Sequence, residues 1–156
     1  MSGDVADRLR EHPFSQGFCP EHIARMAAMA SEVGCPAGTT IFRDGDSSSL
    51  FYLLVTGSVA LEAGPPGQPV RVATLFAGDV LGWSSVTGGA GQRFEARALE
   101  DVRALALGGA RLRNACENDF SFGFRFARAV VATMTGRVCA IRAQLPDIET
   151  PVGNGK

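Results

Sequence analysis

From Thr39 to Leu107 the chain is a series of short apolar runs, cut by turn-forming clusters at Asp44 to Ser49, Gly64 to Pro69 and Gly88 to Gly91. Gly, Pro, Asp and Ser repeated at that spacing leave no room for long helices and predict antiparallel strands folded into a sandwich or roll. The 19 glycines in 156 residues point the same way, to a turn-rich β protein.

Three runs define the expected strands. Leu50 to Val55 is almost continuously apolar, as in a strand covered on both faces, whereas Ser58 to Glu62 alternates with Val59 and Leu61 inward. Gly64-Pro-Pro-Gly67 reads as a hairpin tip. Further on, Gln92-Arg93 opens a run in which Phe94, Ala96 and Ala98 alternate with Arg93, Glu95 and Arg97, giving one apolar and one charged face.

Helices flank this region. Residues 1–11 are polar and read as a flexible N-terminus, and Pro20 to Ser31 reads as a helix with Pro in its first turn and Ile23, Met26, Ala27 and Ala30 at helical spacing, ended by Gly34 and Pro36. After Leu107 a short helix is expected over Ala110 to Asn118, then a longer one over 119–145, with Asp119 as N-cap and Pro146 as its stop. Its Ala127, Val131, Met134, Val138, Ile141 and Leu145 form an apolar stripe, with Arg128, Arg137 and Arg142 beside it. Phe120, Phe122, Phe124 and Phe126 recur with period two, which a helix spreads over two faces, so some should anchor it on the strands. Residues 146–156 read as a disordered tail.

The length suits one domain, with residues 12–145 as its body. A net charge of −1 leaves no basic footprint for nucleic acid. The polar N-terminus lacks a signal-peptide core and no run of eighteen apolar residues occurs, so a soluble cytoplasmic protein is expected, away from membranes. Cys19, Cys35, Cys116 and Cys139 are widely spaced and read as reduced thiols. His12 and His22 both precede the first expected strand, His22 reads as an exposed helix residue, and no metal triad or nucleophile motif occurs, so no enzymatic activity is expected. Asp44, Asp46 and Asp79 lie in Gly-containing turns, where Asp serves local backbone hydrogen bonds.

The segment Val80 to Asp101 is laid out as an anion cradle. Gly82 lets the backbone approach a ligand, a helical turn after it would aim N–H groups at an anion, Ser84 and Ser85 add hydroxyls, and Trp83 offers a stacking platform. Gln92 or Arg93 would supply the anion contact.

This layout resembles the phosphate-binding cassette of the cyclic-nucleotide-binding domain family, the sensor half of the Crp/Fnr regulators, where Gly-Glu is followed after eight residues by Arg and then small residues. Cys35-Pro-Ala-Gly-Thr-Thr-Ile-Phe-Arg-Asp-Gly-Asp46 resembles the family's opening strand and turn, and Leu50-Phe-Tyr-Leu-Leu-Val-Thr-Gly-Ser-Val59 its central strand pair. The resemblance spans residues 12–145 and implies a mainly β fold, an antiparallel β-roll or jelly roll (double-stranded β-helix) with N- and C-terminal helices. It implies a regulatory sensor for cAMP, cGMP or another small anion, homodimeric through helix 119–145. No helix-turn-helix follows that helix, so a partner protein, and not direct DNA contact, would carry the signal. The N-terminal cysteine cluster of Fnr-type iron–sulfur relatives is missing.

Residue by residue, Gly82 keeps the cassette glycine, Trp83 stands where the family has the ribose-binding Glu, and Gln92 where it has the phosphate-binding Arg. Phe94 replaces a small residue and Glu95 a Thr or Ser; a one-residue slip would bring Arg93 to the phosphate. The alternative is a degenerate cassette: Trp83 and Phe94 fill the pocket, Arg93, Glu95 and Arg97 pair along the strand, and the domain is a dimeric scaffold without a nucleotide. For the long helix, the alternative is packing on its own roll.

Overall fold

The computed structural model describes residues 2–43, 49–65, 67–87 and 94–143. In chain order the elements are α1 (Ser2–Glu11), a 3-10 turn (Pro13–Ser15), α2 (Pro20–Met29), β1 (Ala30–Cys35), β2 (Thr40–Phe42), β3 (Leu50–Thr56), β4 (Ser58–Ala63), β5 (Val70–Phe76), β6 (Val80–Leu81), α3 (Ser84–Thr87), β7 (Glu95–Ala98), β8 (Val102–Gly108), α4 (Gly109–Asn118) and α5 (Phe120–Ala143). The described strands pair antiparallel in two four-stranded sheets, ordered β1-β8-β3-β6 and β2-β7-β4-β5. This is the expected β-roll with flanking helices.

Two apolar layers hold it together. Leu54, Val59, Leu61, Leu75, Leu81, Ala96, Ala98 and Ala104 fill the space between the sheets. Leu9, Phe14, Ile23, Met26, Phe51, Leu53, Leu105, Leu107, Leu112, Phe122 and Phe126 fill the space between the first sheet and the helices. Neighbouring residues of β3, Leu53 and Leu54, therefore serve different layers, which is why that strand is apolar at nearly every position.

Four expectations need correction. Residues 2–11 form a helix and are not a flexible arm: Leu9 is buried against α2, and Arg8 pairs with Asp4 and, at 2.7 Å, with Glu32 of β1. The α2 helix stops at Met29 and a strand begins at once, because Ala30 to Cys35 pair residue for residue with Leu107 to Val102. Tertiary pairing overrides the helical spacing of Ala27 and Ala30 there. Val59 and Leu61 face the inter-sheet core as expected, but Ser58, Ala60 and Glu62 are buried too, in a strand flanked by β7 and β5. The two polar ones are satisfied, with Ser58 donating to Glu100 at 2.6 Å and Glu62 pairing with Arg97 at 2.6 Å. Finally, His22 is half-buried, edge-on to Phe122 at 5.3 Å between ring centres.

The long helix carries two apolar faces. Phe122, Phe126 and Val130 sit on the roll, while Phe120 (83% exposed), Phe124 (64%), Ala127 and Val131 (62%) face outward. The Phe quartet thus divides two and two, as period two on a helix requires. Asp119 caps the helix by accepting from Phe122 N–H at 3.2 Å and also pairs with Arg25 at 2.8 Å. Met134 of the expected stripe is half-buried; the side chains of Val138 and Ile141, and Leu145 and Pro146 entirely, lie outside the described residues. Among the described residues no helix is long and apolar enough to cross a membrane, and no group of three or more His, Cys, Asp or Glu could hold a metal.

Candidate ligand site at the glycine turn

The site is built from the short strand β6 upward. Leu81 and Val80 pair with Tyr52 and Leu53 of β3, and the chain then turns at Gly82 with φ +82°. A Cβ there would lie 2.4 Å from the Leu50 carbonyl oxygen, so the position excludes side chains by backbone angle and by contact. One helical turn follows, with Ser85 N–H donating to Gly82 C=O and Val86 N–H to Trp83 C=O, each at 3.0 Å. The turn is fixed from behind by α4: Arg113 donates to the Ser85 carbonyl, and that same carbonyl would lie 2.4 Å from a Cβ at Gly109.

Beneath this turn lies a cavity of about 30 Å³ lined by Phe42, Leu61, Leu81, Gly82, Trp83, Ser84, Phe94 and Arg137. That volume is roughly a tenth of the smallest usual ligand pocket. Of the sequence-derived site residues, the structure brings Gly82, Trp83 and Ser84 together at the cavity. Ser85 does not line it: its side chain is buried against Gly109, with the hydroxyl lacking a hydrogen-bond partner among the described residues. Gln92 and Arg93 lie outside the described residues.

Strand β7 forms the adjoining wall. Ala96 and Ala98 are fully buried, and Glu95 lies directly opposite Glu62 of β4. Two facing carboxylates repel, and Arg97 relieves them by pairing with Glu62, which raises its own pKa through the hydrogen bond and charge of that carboxylate. Arg97 therefore bridges to β4, and the charge of Glu95 on its own strand adds to the same upward shift. Thr40 of β2 donates to Glu95 at 3.5 Å.

Arg137 joins the site from a helix remote in sequence. It reaches in from α5 and donates to the Val80 carbonyl at 2.5 Å, and burial lowers its pKa while the nearby Asp79 charge opposes that shift. Its sequence position carried the signal: it lies eleven residues after Phe126, about three helical turns, and so on the face that anchors the helix. Asp79 itself accepts from Phe76 N–H at 2.9 Å, the local turn bond expected of it. Asp44 and Asp46 lie outside the described residues.

Comparison with known proteins converges on one family. The profile of the family described as cyclic nucleotide-binding domain matches residues 32–119. A CRP-like cAMP-activated global transcriptional regulator of Mycobacterium tuberculosis is 25% identical over 100 residues, 64% of this chain and 45% of that protein, so the chain spans just under half the length of the curated relative. Among solved structures, the N-terminal domain of a transcriptional regulator from Streptomyces coelicolor A3(2) superimposes with a TM-score of 0.68 at 27% identity, covering 83% of this chain and 94% of that one. A cyclic nucleotide-binding domain from Methylobacillus flagellatus reaches 0.78 at 16% identity over 94% and 83%, a likeness of fold alone.

Proposed function

This chain belongs to the cyclic nucleotide-binding domain family, and from that premise we propose that it is a regulatory sensing module in which an anionic small molecule, cAMP or cGMP first among candidates, enters beside Gly82, Trp83 and Ser84 and moves the long helix. The observation that carries this reading is that Arg137 of α5 lines the same cavity as the glycine turn and is bonded to Val80. A ligand larger than this cavity would have to move groups that line it, Arg137 among them, and displacing Arg137 would release α5 from β6. Ligand binding would then shift the population between two helix placements.

Gly82 would let the ligand meet the backbone, Ser84 would contribute polar groups, Trp83 would stack on a base, and Gln92 or Arg93 would meet the anion. The exposed face Phe120, Phe124, Ala127 and Val131 would pair with its counterpart in a second copy, making α5 both dimer seam and output, read by a partner protein. A second reading is favoured by the small cavity: Trp83 and Phe94 close the pocket permanently, and the domain is a dimeric scaffold that binds no nucleotide.

Thermal melting against cAMP, cGMP and other nucleotides separates the two. A ligand specific to the folded state at a hundredfold excess over its Kd stabilises it by about 2.7 kcal/mol. At roughly 2–4 °C per kcal/mol for a chain of this size, a saturable rise follows. The scaffold reading expects no change at millimolar nucleotide.

A further inference from the structure

A second cavity, of about 580 Å³, lies on the side of α5 away from its exposed stripe, bounded by Ala73, Thr74 and Leu75 of β5, by Phe14, and by Ala129, Ala132, Thr133, Gly136 and Arg137 of α5. Successive side chains of a strand point to opposite faces, so three consecutive residues line one cavity only along the strand's edge. That edge is open, because β5 ends its sheet, with β4 on one side and no described strand on the other. An edge strand turns alternate N–H and C=O groups outward, where they pair with any extended segment laid beside them.

The opposite wall is small by composition. Ala129, Ala132 and Gly136 line the groove, and the two glycines of α5 differ in cause. A Cβ at Gly123 would lie 2.7 Å from the Cys116 carbonyl, so close packing on α4 demands glycine there. At Gly136 a Cβ would meet nothing within 4 Å, so no packing among the described residues explains a residue that costs a helix about 1 kcal/mol relative to Ala. Arg137 and Asp79 both line the groove, yet no carboxylate lies within ion-pair distance of Arg137 among the described residues.

We propose that this groove docks an extended segment of a partner protein as an added strand on β5, with small side chains against Ala129, Ala132 and Gly136 and a carboxylate toward Arg137. The open edge of β5 recognises a backbone, the small helix wall selects short side chains, and the half-buried guanidinium, with Asp79 on the same lining, offers a positive charge to one carboxylate. The exposed stripe stays clear, since Ala127 and Gly136 are nine residues apart, about two and a half turns, and so on opposite sides of α5. The proposal rests on the reading that the domain signals through a partner, and it names the surface.

The test uses the full chain and fluorescent hexapeptides of Ala, Ser, Thr and Val with a free C-terminal carboxylate, read by anisotropy and by hydrogen exchange at Ala73 to Leu75. Binding should protect those amides and weaken about tenfold or more with backbone N-methylated peptides, with C-terminal amides and with Gly136→Leu, whose fold is checked by circular dichroism. No binding at millimolar peptide overturns the proposal, as does binding indifferent to N-methylation and Gly136→Leu. A chain that dimerises through the groove, becoming monomeric with Gly136→Leu, also overturns it in favour of a second copy. Because Gly136 does not line the cavity beneath Gly82, nucleotide titration of the same variant reports separately on the sensing reading.

Discussion

The guanidinium of Arg137 donates to the carbonyl of Val80 at 2.5 Å, tying the C-terminal half of a 24-residue helix to the strand that leads into the glycine turn. This bond joins the two parts a sensor must couple. Arg137→Met keeps most of the stem and removes the donor, leaving the Val80 carbonyl without this partner. It should cost about 1–3 kcal/mol, read as a lowered midpoint in urea. In the same variant, hydrogen exchange should quicken in the C-terminal half of α5 and leave the Phe122 end unchanged.

His12 makes the fold acid-sensitive. Its Nε2–H donates to the Leu54 carbonyl at 2.8 Å and its Nδ1 accepts from Phe14 N–H at 3.1 Å, so the folded state needs the neutral ring. Burial is the main cause that lowers its pKa below the usual 6.5; the Leu54 bond and Asp79 oppose it. The unfolded chain therefore binds this proton more readily. The contribution is present above about pH 6.5 and is lost as pH falls through the folded value. Melting temperature should drop between about pH 7.5 and 5, with a shallower slope in His12→Asn.

Two glycines should respond oppositely to alanine. Gly82→Ala places a Cβ 2.4 Å from the Leu50 carbonyl at φ +82° and should destabilise by roughly 2 kcal/mol or more. Gly136→Ala enters open space on a helix and should stabilise by about 0.5–1 kcal/mol. Chemical denaturation of both variants checks the signs.

The phenylalanines of α5 separate folding from assembly. Phe122→Ala removes a fully buried ring and should cost about 3–5 kcal/mol. Phe124→Glu lies on the exposed face and should leave the melting of the isolated domain nearly unchanged. Sedimentation should show it shifting a dimer to monomer; a wild-type protein that is monomeric at all concentrations would contradict the seam.

Much of this was legible in the chain. Turn spacing and the apolar runs at Leu50 and Val59 give the roll, and Gly82 marks the turn because only glycine fits its backbone angle. What stayed hidden depended on contacts remote in sequence. The strand Ala30 to Cys35 exists because β8 pairs with it, and α1 is ordered because Leu9 finds α2. Ser85 reads as a donor in sequence but is turned toward Gly109 by α4. Arg137 reads as one more surface charge until the helix is wound and placed on the roll.

Trp83 is the chain's single tryptophan and it lines the cavity beneath Gly82, so its fluorescence reports the site directly. The measurement to make is a fluorescence titration of the intact protein with cAMP and cGMP. A saturable change in Trp83 emission, with an affinity weakened by Arg93→Ala, is the result the sensing account predicts. Emission unchanged up to millimolar nucleotide would contradict it and leave the closed scaffold standing.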